Sequence, residues 1–293
     1  MTRWPTINCL TKIALTLSFA FAGARAYGEI SNTEAKKTVR WILNEHREDL
    51  KRHPLPLFFE FDERRESKGM FEFLFIAYSA HVHPEERALR AGAPKTTVNV
   101  MKFSGYFPAL PGMTTDIFAL IACHELGHVI GGAPKASIFK EFPQASHSIE
   151  GQADYYAASK CFKRYIKAHP VARLNVDPGT WGLCAQQFKT AADIQACART
   201  IMVGEGLLNT IRPKDASNSK DVRFTTSLLI DSAPPPTEMM IDHPEAECRL
   251  RTFAAGALCN QPAVAPISDQ DPKTAWCEDS ELARRPHCWY KRP

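Results

Sequence analysis

Five consecutive residues, His124-Glu125-Leu126-Gly127-His128, carry the chemistry most easily read from this chain. Residues four apart lie on one face of a helix, so both imidazoles can reach a single zinc ion. Glu125 stands beside them, placed to take a proton from water at that ion. That arrangement points to hydrolysis. A catalytic zinc takes a third protein ligand and leaves one position open. An extended HExxHxxGxxH pattern would supply it at position 134, but that residue is Pro134, although Gly131 matches. Downstream, Glu150-Gly151-Gln152-Ala153-Asp154 begins 22 residues after His128. Glu150 and Asp154 are again four apart, one suited to ligate and the other to accept the ring N–H of a ligand histidine. His147 is a rival third ligand, and a solvated acidic face at a helix start is the plainer alternative for the two acids.

These side chains need helices to hold them. Thr114, Thr115 and Asp116 offer N-caps for a helix from Ile117 to Ile130, ended by Gly131-Gly132. It is apolar nearly all round, which predicts burial, and two histidines and a glutamate buried there without a metal or partners would cost several kcal/mol. A second helix is predicted from Ser148 to Ala168, before Pro170. Ser31 and Glu34 form a capping-box pattern for a helix to about Leu50, stopped by His53-Pro54-Leu55-Pro56. Leu55 to Ala80 reads as core of mixed period, and Thr97 to Phe103 as a short strand ended by Gly105. Further helices are expected over Thr180–Phe188 and Ala191–Leu208. Pro234-Pro235-Pro236 reads as a stiff connector, and a last helix has Pro244 in its first turn and ends near Gly256. The fold class expected is α+β, mainly helical, with a small edge-strand sheet beside the active-site helix.

The 293 residues are 44% hydrophobic and 23% charged, which excludes disordered, fibrous and polytopic membrane classes. Residues 1–26 read as a secretory signal: basic residues and no acid, an apolar run from Ile13 to Gly23, then Ala24-Arg25-Ala26, with Tyr27 the first mature residue. The apolar run is 11 residues, against roughly 20 needed to span a bilayer. Loss of Arg3, Lys12 and Arg25 lowers the formal charge from +4 to +1, which gives nucleic-acid binding no support. Cys9 leaves with the signal, and an even eight cysteines remain, as expected of an exported, disulfide-bonded protein, periplasmic or secreted. Short sequence separation favours Cys248 with Cys259 and Cys277 with Cys288, while Cys123 is left open between a free thiol and a bridge. The domains expected are residues 27–262 and a Cys-containing, irregular basic tail, 263–293. In that tail Arg284, Arg285, Lys291 and Arg292 with Trp289 and Tyr290 suggest a weak membrane-surface contact.

The HExxH run followed by Glu150-Gly151-Gln152-Ala153-Asp154-Tyr155-Tyr156-Ala157 resembles the gluzincin peptidases. Within them it is similar to the HtpX-like and CAAX-prenyl-protease-like family, whose pattern is HExxH then ExxAD. The strand before the active-site helix looks like that family's substrate-binding edge, and Asp242-His243-Pro244 with Arg249 resembles its later motif. The likeness covers roughly residues 95–160 and 240–252. It implies a zincin-like metalloprotease domain with one zinc held by His124, His128 and Glu150, Asp154 supporting a histidine, and Glu125 as general base. His243, or less strongly Arg249, would donate to the oxyanion, and a protein or peptide substrate would pair beside Val98–Phe103. Asp242 and His243 could instead simply cap the helix that follows. The short spacing between motifs, the lack of spanning segments and the added cysteines depart from the family, so membrane-protein or prenylated substrates are not carried over. The competing expectation is a non-catalytic scaffold or chaperone-like binding protein that keeps zinc for folding, a role with no use for Glu125.

Overall fold

A computed structural model describes residues 30–62, 80–137, 140–143, 145–172, 174–211, 221–230, 234 and 236–292. The segment 1–26 expected to be a signal, Tyr27, Pro235 and most of the apolar stretch between Leu55 and Ala80 lie outside these residues. Ser31 caps α1 (Asn32–Glu45), its hydroxyl accepting from the Glu34 N–H while the Glu34 carboxylate accepts from the Ser31 N–H at 3.0 Å. The capping box thus works as its spacing predicts. Helix α2 (Arg47–Arg52) ends at His53, and β1 (Leu57–Asp62) follows.

β2 (Ala80–Ala88) and β3 (Lys95–Ser104) complete a sheet of order β1-β3-β2, with β1 parallel and β2 antiparallel to β3. The strand expected at an edge is therefore the central one, with both sides paired. Its consecutive buried residues Val98, Asn99, Val100 and Met101 are the physical sign, since an edge strand facing solvent alternates. A substrate cannot pair beside Val98–Phe103.

α3 (Thr115–Ile130) starts at Thr114, whose side chain accepts from the Ile117 N–H, and is buried along nearly its whole length. The short strands β4 (Lys135–Ala136) and β5 (His147–Ser148) pair antiparallel. The second long helix is a composite: α4 (Glu150–Tyr156), a π-helical turn Ala157–Cys161, then α5 (Phe162–Ala168). Gly127 lets α3 and α4 approach, because a Cβ there would sit 3.0 Å from the Ala153 backbone. Helices α6 (Pro178–Gln187), α7 (Ala191–Thr210) and α8 (Ala246–Leu258) pack around this pair. Pro244 precedes the α8 N-cap, Glu245, instead of lying in its first turn. The class is mixed α+β, with helices dominant and a small sheet.

Four disulfides join Cys123 to Cys161, Cys184 to Cys197, Cys248 to Cys288 and Cys259 to Cys277. The short-range tail pairs were wrong. Cys248 and Cys259 lie at the two ends of α8, about 16 Å apart by helical rise, well beyond what a disulfide can span. Cys123 is bridged, stapling α3 to the π-helical turn. Residues 259–292 are irregular, as expected, but pack into the core. Trp289 lies against Gly151, where a Cβ would come within 2.2 Å of the indole, and its Nε1 donates to Thr252 Oγ1 at 2.9 Å. Arg285 donates to Glu278, Gln152 and the Tyr290 hydroxyl. Arg285, Trp289 and Tyr290 are fully buried, so these members of the basic-aromatic set face the interior and are not open to a membrane surface. Among the described residues no helix is long and apolar enough to cross a membrane.

Candidate metal centre

Two helices and one loop bring the site together. On α3, His124 and His128 share a face, their Nε2 atoms 3.1 Å apart. Glu150, the first residue of α4, places Oε2 3.2 Å from His124 Nε2 and 3.6 Å from His128 Nε2. These three ligand atoms lie within 4.8 Å of one another, so the group could hold a metal ion. His147, the rival third ligand, turns away: its Nε2 meets Asn99 Oδ1 at 3.0 Å, and burial pushes its ring down to a pKa of about 3.

The far side of each imidazole is fixed. His124 Nδ1 donates to Asp154 Oδ1 at 2.7 Å, and His128 Nδ1 donates to the Ser148 carbonyl at 2.8 Å. A carbonyl can only accept, so the His128 proton sits on Nδ1 and its Nε2 presents a lone pair. Asp154, wholly buried, is gripped by Arg249 through Nε at 2.8 Å and Nη2 at 2.9 Å. Burial alone would raise the Asp154 pKa, but Arg249 and His124 outweigh it and hold the group at about 2. Arg249 thus spends two of its three nitrogens, Nε and Nη2, on Asp154 and positions that carboxylate.

Burial works against a charged His124, yet Asp154 and Glu150 overcome it and raise the ring to about 10. His128 is driven the other way, to about 4, by burial and by the His124 charge. Burial also opposes ionisation of Glu150, but hydrogen bonds from His124 and His243 and the charges of His124 and His128 keep it well below the ordinary carboxylate range. One extra proton on His124 Nε2 can face either His128 Nε2 or Glu150 Oε2, not both. A metal ion can take all three lone pairs at once, so the donor set fits one: two neutral imidazoles and a carboxylate with an acid behind one ring.

Glu125 is 4% exposed and its Oε2 has no hydrogen-bond partner. Burial pushes its pKa up to about 7, with the His124 charge opposing and Glu150 adding to the rise. His243 lies on the solvent side, 61% exposed, with Nδ1 3.0 Å from Glu150 Oε2 and its ring stacked 6.2 Å from that of His124. The loop is held there as the Glu150 N–H donates to the Ile241 carbonyl at 3.4 Å. Every residue singled out for the site therefore converges except His147. Two contributors escaped sequence reasoning: the Ser148 carbonyl, because a backbone acceptor has no residue signature, and Gly127, whose small size inside HExxH was the available signal for close helix packing. No family model, curated protein or solved structure matches this chain.

Proposed function

We propose that this chain is an exported zinc-dependent endopeptidase of the gluzincin type, similar to the HtpX-like and CAAX-prenyl-protease-like family and built as a zincin-like domain. The observation that carries this reading is the convergence of three ligand atoms near a buried Glu125 whose Oε2 has no hydrogen-bond partner. His124, His128 and Glu150 hold the ion, one per chain, and Asp154 fixes the His124 ring. A zinc ion bound there supplies Lewis acidity toward a carbonyl and toward water. Glu125 accepts a proton from the attacking water and returns it to the leaving amine nitrogen, a two-way transfer suited to a carboxyl poised at about 7. His243, on the open side, donates to the oxygen of the former carbonyl. The substrate backbone pairs with the outer side of β2, the edge strand that packs on α3 and has no partner there among the described residues.

A scaffold that keeps zinc only for folding gains nothing from burying a carboxylate without a partner. The deciding experiment measures zinc content and casein or peptide cleavage for the wild type and for Glu125→Gln. Cleavage that vanishes while zinc stays supports the peptidase. Cleavage at the wild-type rate in the folded, zinc-loaded variant refutes it.

A further inference from the structure

A cavity of about 460 Å³ lies between α5, the first turns of α7 and the chain just past α8, and none of the metal-site residues lines it. The sequence explains why the space exists. Lys163, Ile166 and Lys167 stand three and four apart on α5 and so share the face that lines it. The stripe that α7 contributes is built on Ala192 and Ala196, four apart, and two methyl groups are too short to fill the gap. Phe188, between α6 and α7, completes an apolar wall, and the volume suits a small molecule.

Lys163 brings a charge to that wall. Its Nζ donates to the Cys259 carbonyl and lies 5.4 Å from the centre of the Phe188 ring. Both of those residues line the cavity, so the ammonium sits at the wall and not behind it. The residue is only half-buried, and of its three N–H donors the carbonyl takes one. Lys163 has no carboxylate in an ion pair with it among the described residues. Asp193, the one acid among the lining residues, has its carboxylate on the Thr190 hydroxyl at 2.6 Å, at the start of α7. Lys167, exposed, adds a second cation, and the positive end of the 20-residue α7 works in the same sense. Burial pushes the Lys163 amine down to about 7, with Lys160 adding to the fall and Asp193 opposing it, so the surroundings do not balance the charge that this side chain carries.

We infer that this cavity binds a small amphipathic carboxylate, such as a medium-chain fatty acid, with its headgroup on Lys163 Nζ and its tail against Phe188, Ile166 and the two alanines. Nothing in this rests on the peptidase reading. The test is calorimetric titration of the zinc-loaded full chain with octanoate in one arm and octanol, which has the same length of tail and no charge, in the other. Saturable binding of one octanoate per chain is expected, about tenfold or more tighter than octanol. Lys163→Met keeps the reach of the side chain without its charge, and should weaken octanoate about tenfold or more while leaving octanol unchanged. Ala196→Leu keeps the charge and fills the space, so it should weaken both ligands. The comparison of the two ligands on the wild type needs no variant, so the assignment stays open to refutation if a substitution unfolds the chain. Octanol bound as tightly as octanoate overturns it. No saturable octanoate binding up to about 10 mM overturns it as well, leaving a hydrated cavity. Octanoate binding that ignores both variants does the same, placing the carboxylate elsewhere, the zinc ion included.

Discussion

At the metal centre three ligand atoms that could hold a metal ion face one another, whereas beside His46 two buried N–H groups, His46 Nε2–H and Arg164 Nε–H, face no acceptor among the described residues. Both are built from imidazole, and the difference comes from what holds Nδ1. Acceptors behind His124 and His128, Asp154 and the Ser148 carbonyl, keep a proton on Nδ1 and turn Nε2 toward the site. A donor behind His46, the Arg164 guanidinium, reverses the tautomer and leaves the proton on Nε2. A buried imidazole thus takes its tautomer from the group at its back.

The largest effect expected from breaking this pattern is at His128. His128→Ala leaves two ligands in an open site, so zinc content falls from about one per chain to near zero and hydrolysis is lost, as metal analysis and peptide assay will show. Full occupancy in that variant would remove His128 from the ligand set. Next is Glu125→Gln, which keeps shape and zinc but cannot accept a proton; cleavage is expected to drop by roughly 10²-fold or more.

A paired test separates the helix-borne ligand from its neighbour. Glu150→Gln weakens zinc binding and abolishes cleavage, while His147→Ala leaves the metal in place, because His147 is spent on Asn99. The reverse result would move the third ligand to His147. Changing the group behind the ring is milder: Asp154→Asn no longer fixes the His124 tautomer or pairs with Arg249, and zinc affinity should fall by about 10- to 100-fold in a competition with a chelating dye. An unchanged affinity would mean that the ligand geometry does not depend on that carboxylate.

The two clusters also differ in how far the sequence discloses them. HExxH and the acids at 150 and 154 were legible because helical period fixes what four residues of spacing places on one face. The capping box at Ser31 and the apolar helix through His124 were legible for the same local reason. Arg164 and His46 are 118 residues apart in the chain, and no period relates them. The central position of β3 was equally hidden, since strand neighbours are chosen by tertiary pairing, not by the strand's own residues. Disulfide partners failed on a local rule that was available: Cys248 and Cys259 frame a helix too long to be bridged. The tail misled through composition, because its cations and aromatics read as surface, yet Arg285 is consumed by five side-chain and backbone partners around Trp289 and Tyr290.

The smallest expected effect concerns the His46 ring in acid. Its pKa in the folded chain is lowered, mainly by burial and further by Arg164, with Asp49 and Glu45 opposing. Above the unfolded value, near 6.5, neither state holds the extra proton and the ring adds no pH dependence. As pH falls below that value the unfolded chain takes up a proton that the folded chain resists, so stability declines toward the folded pKa. His46→Phe does not titrate, so its denaturation midpoint should fall less than that of the wild type between pH 7.5 and 5.5. The metal centre titrates alike in both proteins and cancels in the difference. Parallel slopes would mean that folding leaves the His46 pKa at its unfolded value, and a steeper fall for His46→Phe would mean that the folded ring is charged, with Nδ1–H directed at Asp49; in the second case the tautomer contrast between the two clusters would fail.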